Sequence, residues 1–141
     1  AASLLGQGGR YAPTTDGGSY LLKNPFDDNI LTTDRDHWDY MVRQVKEQPG
    51  FRLGGPSLTW LAEALAETRR LRNAPHPPVP VQIGIAALEK IVDNRATEAM
   101  VENWGSATLT RYDGAEHELL MERPLVRDRF VAQSTGQFAQ G

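Results

Sequence analysis

The sequence predicts an α/β fold built on parallel strands, and three observations carry that expectation. Val79 to Ala87 (VPVQIGIAA) is apolar without alternation, the habit of a strand buried on both faces. Ala107 to Tyr112 (ATLTRY) reads as a second strand, and the stretch between the two has a helical pattern. A parallel pair needs such a crossover, whereas an antiparallel pair can turn back directly. Finally, each strand runs into a turn bearing titratable groups: Glu89 and Asp93 after the first, and His117, 28 positions beyond Glu89, after the second. The order is two βα units. Two strands are too few for independent stability, so a missing remainder of the sheet is expected.

The elements follow from local signals. Residues 1–25 are rich in Gly, Ser and Thr and read as an irregular N-terminal segment. Thr33 has the look of an N-cap, with Asp36 completing a capping box, and Trp38, Met41, Val42 and Val45 follow at helical spacing until Pro49-Gly50. A second helix opens around Gly55-Pro56-Ser57, with Pro56 suited to its first turn. Its apolar stripe is Leu58, Leu61, Ala62 and Leu65, flanked by Trp60, and Arg69, Arg70 and Arg72 suit its C-terminal dipole. APHPPVP breaks regular structure. Asn94 reads as the cap of a helix carrying Ala96, Ala99 and Met100 and ended by Gly105. Asp113-Gly114 turns the chain after the second strand. A last helix starts near Pro124, with Leu125, Val126, Phe130 and Val131 on its apolar side, and STGQFAQG reads as a frayed end. The expected organisation is 1–25 irregular, 26–74 helical, and 75–141 the two βα units.

Composition narrows the function classes. The 141 residues are 40% hydrophobic and 23% charged, with a formal net charge of −3 and the two signs interleaved. That suits a soluble globular domain and gives no basic surface for nucleic acid or anionic lipid. The absence of cysteine excludes disulfides, thiolate zinc sites and cysteine nucleophiles. No apolar run reaches the length of a transmembrane segment, and nothing reads as a signal peptide. The first residue is Ala1, which points to a processed chain or a piece of a longer one. The expected location is cytoplasmic, peripheral to a membrane at most.

His117 follows a strand, where open α/β sheets place ligands and catalysts. As a general base it needs an acid to fix its tautomer and stabilise the imidazolium. Glu89 and Asp93, in the turn after the neighbouring strand, are both within reach of that role. The plainer reading is that Asp93 or Asn94 caps a helix and His117 lines a loop.

VPVQIGIAALEKIVDNRA and YDGAEHELLMER resemble the last two strand–turn signatures of the bacterial lysophospholipase and monoacylglycerol lipase group of α/β-hydrolases, the latter containing its G-A-x-H-E motif. NILTTDRDHWDYM and RLGGPSLTWLAEAL are similar to its helical cap. The resemblance covers nearly all of the chain beyond the first two dozen residues. It implies the C-terminal portion of an α/β-hydrolase fold, with a helical cap over 26–74 and then two parallel βα units. It also implies Glu89 as triad acid, His117 as triad histidine, Asp93 as the helix-capping acid and second candidate, and Glu118 as structural. Glu89 stands where the family normally has aspartate, and glutamate serves in some α/β-hydrolases.

The nucleophile has no counterpart. Ser3, Ser19, Ser57, Ser106 and Ser134 all lack the G-x-S-x-G setting, and Ser57, in GGPSLTW, is better placed as a helix cap. DRDHWD (Asp34 to Asp39) gathers three acids around His37, but first-turn acids complementing the dipole account for it better than a metal. His76 reads as a solvated linker residue. Trp38, Met41, Trp60, Leu61 and Leu65 could line an acyl pocket, with ordinary core packing the preferred reading. The expected function is therefore part of a serine ester hydrolase acting on lysophospholipids or monoacylglycerols, supplying acid and histidine but not the nucleophile, and without cofactor or metal. Alone the chain should be inactive. The expected partners are a lipid or ester substrate and, at the open sheet edge, either a missing N-terminal half or a second copy of the chain. The alternative is a non-catalytic structural or interaction fragment of the same fold.

Overall fold

The computed structural model describes residues 6–139. They divide into two compact units: one runs through Pro25 and resumes at Met41–Pro75, and the other comprises Phe26–Tyr40 and His76 onward. This differs from the division 1–25, 26–74 and 75–141. Residues 26–40 belong with the strands because main-chain and side-chain hydrogen bonds tie Leu31, Thr32 and Thr33 to residues 118–122.

The second unit holds the sheet. Strand β1 (Val81–Ala86) pairs in parallel with β2 (Ala107–Tyr112), in a register running from Val81 opposite Ala107 to Ala86 opposite Tyr112. β1 starts later than Val79 because Pro80 has no N–H to offer a ladder. The ladder opens with the Val81 amide donating to the Ser106 carbonyl at 3.0 Å. It continues past both strands, where the Ala87 amide donates to the Tyr112 carbonyl (3.0 Å) and the Leu88 amide to the Ala115 carbonyl (2.9 Å). The turns after the two strands are thereby held side by side. Burial on both faces is realised only at Ile85 and Ala86. Val81 to Gly84 stay half-buried, since a two-stranded sheet has no further strand to cover them.

The crossover helix spans Asn94–Glu102. Its N-cap is Asp93, whose carboxylate accepts from the Arg95 amide at 3.0 Å, rather than Asn94. The Asn94 side-chain Nδ2 instead donates to the Ala86 carbonyl at 2.7 Å, fastening the helix to the end of β1. The C-terminal helix runs Pro124–Phe138, with Pro124 in its first turn, so helix extends well into the segment expected to fray. The core joins Ala86, Tyr112, Ala115 and Leu119 to Val126 and Phe130 of that helix. Gly84 makes this contact possible. A Cβ there would stand 2.9 Å from Leu119 Cδ1 and 3.0 Å from the Phe130 ring. Gly114, at φ +68°, turns the chain out of β2 in a conformation glycine adopts without steric cost. His76 is stacked on Trp104, with centroids 4.7 Å apart, and is not a solvated linker residue.

The helix Arg35–Glu47 is capped by Asp34, not Thr33. The Asp34 carboxylate accepts from the amides of Asp36 (2.8 Å) and His37 (3.0 Å). Thr33 is drawn away because its amide and hydroxyl both donate to Glu122.

In the first unit the helix Leu58–Arg72 follows its cap Ser57, whose hydroxyl accepts from the Trp60 amide at 3.1 Å. Pro56 thus precedes the cap and lies outside the first turn. None of this helix's residues is buried: Trp60 and Leu65 are exposed and Leu61 half-exposed, so the core packing expected of them is not formed within the described residues. A single helical turn, Tyr20–Lys23, interrupts the segment expected to be irregular throughout.

Candidate active site

The two turns beyond β1 and β2 bring Glu89 and His117 together. Oε2 of Glu89 lies 2.8 Å from Nδ1 of His117. The Glu89 side chain is 5% exposed and that of His117 29%. Oε1 of Glu89 curls back to accept from the amides of Ile91 (2.6 Å) and Val92 (3.2 Å), which fixes the direction of Oε2. Burial alone would raise the Glu89 pKa. The hydrogen bonds from His117 and from the two amides outweigh it and hold the carboxyl below its usual range. An ionised carboxylate only accepts, so Nδ1 carries the proton and, in the neutral ring, Nε2 keeps its lone pair. This is the arrangement a general base requires: an oriented imidazole with the basic nitrogen on the side away from the acid.

The linkage has a definite sign. A carboxyl whose pKa is lower folded than unfolded contributes stability that is complete above the unfolded value, about 4.3, and is lost as pH falls through the folded value. The unfolding free energy from urea titrations is expected to fall from about pH 5 to about pH 3 more steeply in the wild type than in Glu89→Gln. Parallel curves for the two proteins would refute the assignment of this linkage to Glu89.

Asp93, the other candidate acid, is not part of this pair. It caps the crossover helix and sits 3.3 Å from Arg95, and that partner holds its pKa down. The acids of DRDHWD do not converge on one point. Asp34 caps the helix and lies 3.3 Å from Nδ1 of His37, Arg127 lies 3.4 Å from Nε2 of the same ring, and Asp39 pairs with Arg35. Among the described residues no group of three or more His, Asp or Glu is arranged to hold a metal ion. Ser57, Ser106 and Ser134 hydrogen-bond to Trp60, Pro77 and Phe130, respectively. Sequence reasoning passed over Lys90, Glu116 and Glu122. Lys90 and Glu116 join the two turns at 3.3 Å, and the buried Glu122 carboxylate accepts from the Glu116 amide at 2.8 Å, its only sequence signal being a place in the GAEHELLMER string.

Residues 10–124 match the family model described as serine aminopeptidase, S33. The chain belongs to this α/β-hydrolase family. Among curated relatives, it is 33% identical over 137 residues to a probable lysophospholipase L2 of Haemophilus influenzae, over 96% of this chain and 42% of that protein. It is 30% identical over 113 residues to lysophospholipase L2 of Escherichia coli K12, covering 73% of this chain and 33% of that one. The chain thus spans less than half the length of the relatives it matches. The fold is shared with a soluble variant of monoglyceride lipase from Saccharomyces cerevisiae, solved with a substrate analog. There the TM-score is 0.62 at 18% identity, over 89% of this chain and 43% of that one. The parallel strands and their helices are accordingly part of an α/β-hydrolase fold.

Proposed function

We propose that the chain supplies the acid–histidine half of a serine ester hydrolase acting on lysophospholipids or monoacylglycerols. The single observation that carries the reading is the 2.8 Å contact of Glu89 Oε2 with His117 Nδ1 at the carboxyl ends of adjacent parallel strands. The names of the relatives supply the substrate class. The nucleophilic serine and the oxyanion-binding amides come from residues other than these 141, in an N-terminal half of the same protein. In this mechanism Nε2 of His117 takes the proton of that serine as its oxygen attacks the acyl carbon. Glu89 stabilises the imidazolium, which then protonates the departing glycerol oxygen. Water enters by the reverse of the same steps and frees the fatty acid. Asp93 serves as the helix cap. The substrate is met at a membrane surface from the cytoplasm, and no helix among the described residues is long and apolar enough to cross a membrane.

The test is fatty-acid release from 1-acyl lysophospholipids and from 1-monoacylglycerol. Protein from the full reading frame is expected to release fatty acid, and the 141-residue chain alone is expected to release none. Hydrolysis by the isolated chain, abolished by His117→Ala, would overturn the division of labour. Silence from a protein that does carry a G-x-S-x-G serine would favour a non-catalytic role.

A further inference from the structure

Glu122 is fully buried, at 0% exposure, yet takes no part in the chemistry just described. A buried carboxyl is costly unless its oxygens are satisfied. Here they are: Oε1 accepts from the amides of Glu116 (2.8 Å) and Thr33 (2.9 Å), and Oε2 accepts from the Thr33 hydroxyl (2.5 Å) and the Arg123 amide (3.2 Å). All four partners are donors, a set that a carboxylate can serve and a carboxamide cannot. The first of them belongs to the residue immediately before His117. That residue is gripped a second time, because the Glu116 carboxylate lies 3.3 Å from Nζ of Lys90, the neighbour of Glu89. On the other side of the histidine, the Glu118 amide donates to the Leu31 carbonyl at 2.8 Å, and the Thr32 hydroxyl donates to the Met121 carbonyl at 2.6 Å. The backbone on both sides of His117 is therefore tied to residues 31–33, and Glu122 is the group that bonds to both partners at once.

We propose that Glu122 is the positioning residue of His117, holding residues 116–117 so that the imidazole meets Glu89. The proposal rests on the reading of Glu89 and His117 as an acid–base pair. Its test uses the ¹⁵N-labelled protein of the full reading frame as wild type, Glu122→Gln and Glu122→Ala. Three signals are read: the ring nitrogens of His117, hydrogen exchange at the Glu116 amide, and the Trp104 indole N–H, which donates to the Pro77 carbonyl and serves as a remote control.

The wild type is expected to show His117 protonated at Nδ1. The Glu116 amide should exchange about 10-fold faster in Glu122→Gln and about 100-fold faster in Glu122→Ala, from weakening and then losing a charge-assisted hydrogen bond. His117 should then become a mixture of tautomers while the Trp104 signal stays in place. A His117 that keeps its wild-type tautomer in a folded Glu122→Gln chain overturns the proposal. So does loss of the Trp104 signal together with that of His117 in this milder variant, which would make Glu122 a general stability residue. If Glu122→Ala alone fails to fold, Glu122→Gln decides. Absence of the Nδ1–H form in the wild type would instead remove the acid–base reading itself, so the two failures are distinguishable.

Discussion

His117→Ala is expected to lower kcat for fatty-acid release by about 10⁴- to 10⁶-fold in the protein that carries the serine, with KM little changed. The size of the loss follows from the role proposed for His117. Without an acceptor at Nε2 the serine hydroxyl attacks at its ordinary, weak nucleophilicity, and the leaving oxygen departs without a proton. A histidine that acts only on the transferred proton adds little to ground-state binding, so substrate affinity should survive. Glu89→Gln should lose about 10⁴-fold or less, because a carboxamide can donate to Nδ1 and favour the wrong tautomer without removing the ring. Steady-state kinetics of the two variants on one lysophospholipid would check both. A fall of less than about tenfold for His117→Ala would exclude it as the general base.

The largest expected effect on stability is at Tyr112. Its side chain is 1% exposed, and its ring meets Phe130 edge to face with centroids 5.8 Å apart, in a cluster with Ala86, Ala115 and Leu119. The guanidinium of Arg129 lies 5.2 Å above the ring, and the hydroxyl bonds to Gln133. Tyr112→Ala leaves a cavity where the C-terminal helix packs on the sheet and should cost about 3–5 kcal/mol. Against a typical domain stability of about 5–15 kcal/mol, that threatens the fold. Tyr112→Phe keeps the ring and loses one hydrogen bond, so it should cost about 1 kcal/mol. Urea midpoints of the two variants test the difference, and equal midpoints would show that the hydroxyl, not the ring, matters there.

Much of the local structure was legible because its causes are local. Gly105 and Asp113-Gly114 bracket β2, and Ala107–Tyr112 is the strand observed. Ser57 caps its helix because a hydroxyl one residue before the first turn finds a free amide whatever the surroundings. The cap of Arg35–Glu47 was misread for the opposite reason. Thr33 and Asp34 are both good caps, and a carboxylate 89 positions away engages Thr33. The exposed apolar residues of Leu58–Arg72 were misread as core because a stripe records what a helix can bury, not what is present to cover it.

The sequence by itself determined the α/β class, the crossover between parallel strands, and the confinement of the titratable groups to two turns. Residue type, period and glycine or proline punctuation act over a few residues and do not depend on the rest of the chain. Residue type and spacing left Glu89 and Asp93 both within reach of His117, and the family resemblance favoured Glu89; the tertiary structure decided that Glu89 faces His117 while Asp93 turns to its helix, and that Glu122 accepts from the amide of Glu116 in the histidine turn. Both acids occupy one seven-residue turn, and their directions are set by where the amides of Ile91, Val92 and Arg95 point. Thr33, which gives Glu122 two of its four hydrogen bonds, lies 89 positions from it in the chain, and no local pattern can announce a contact that exists only once the sheet and its helices have packed.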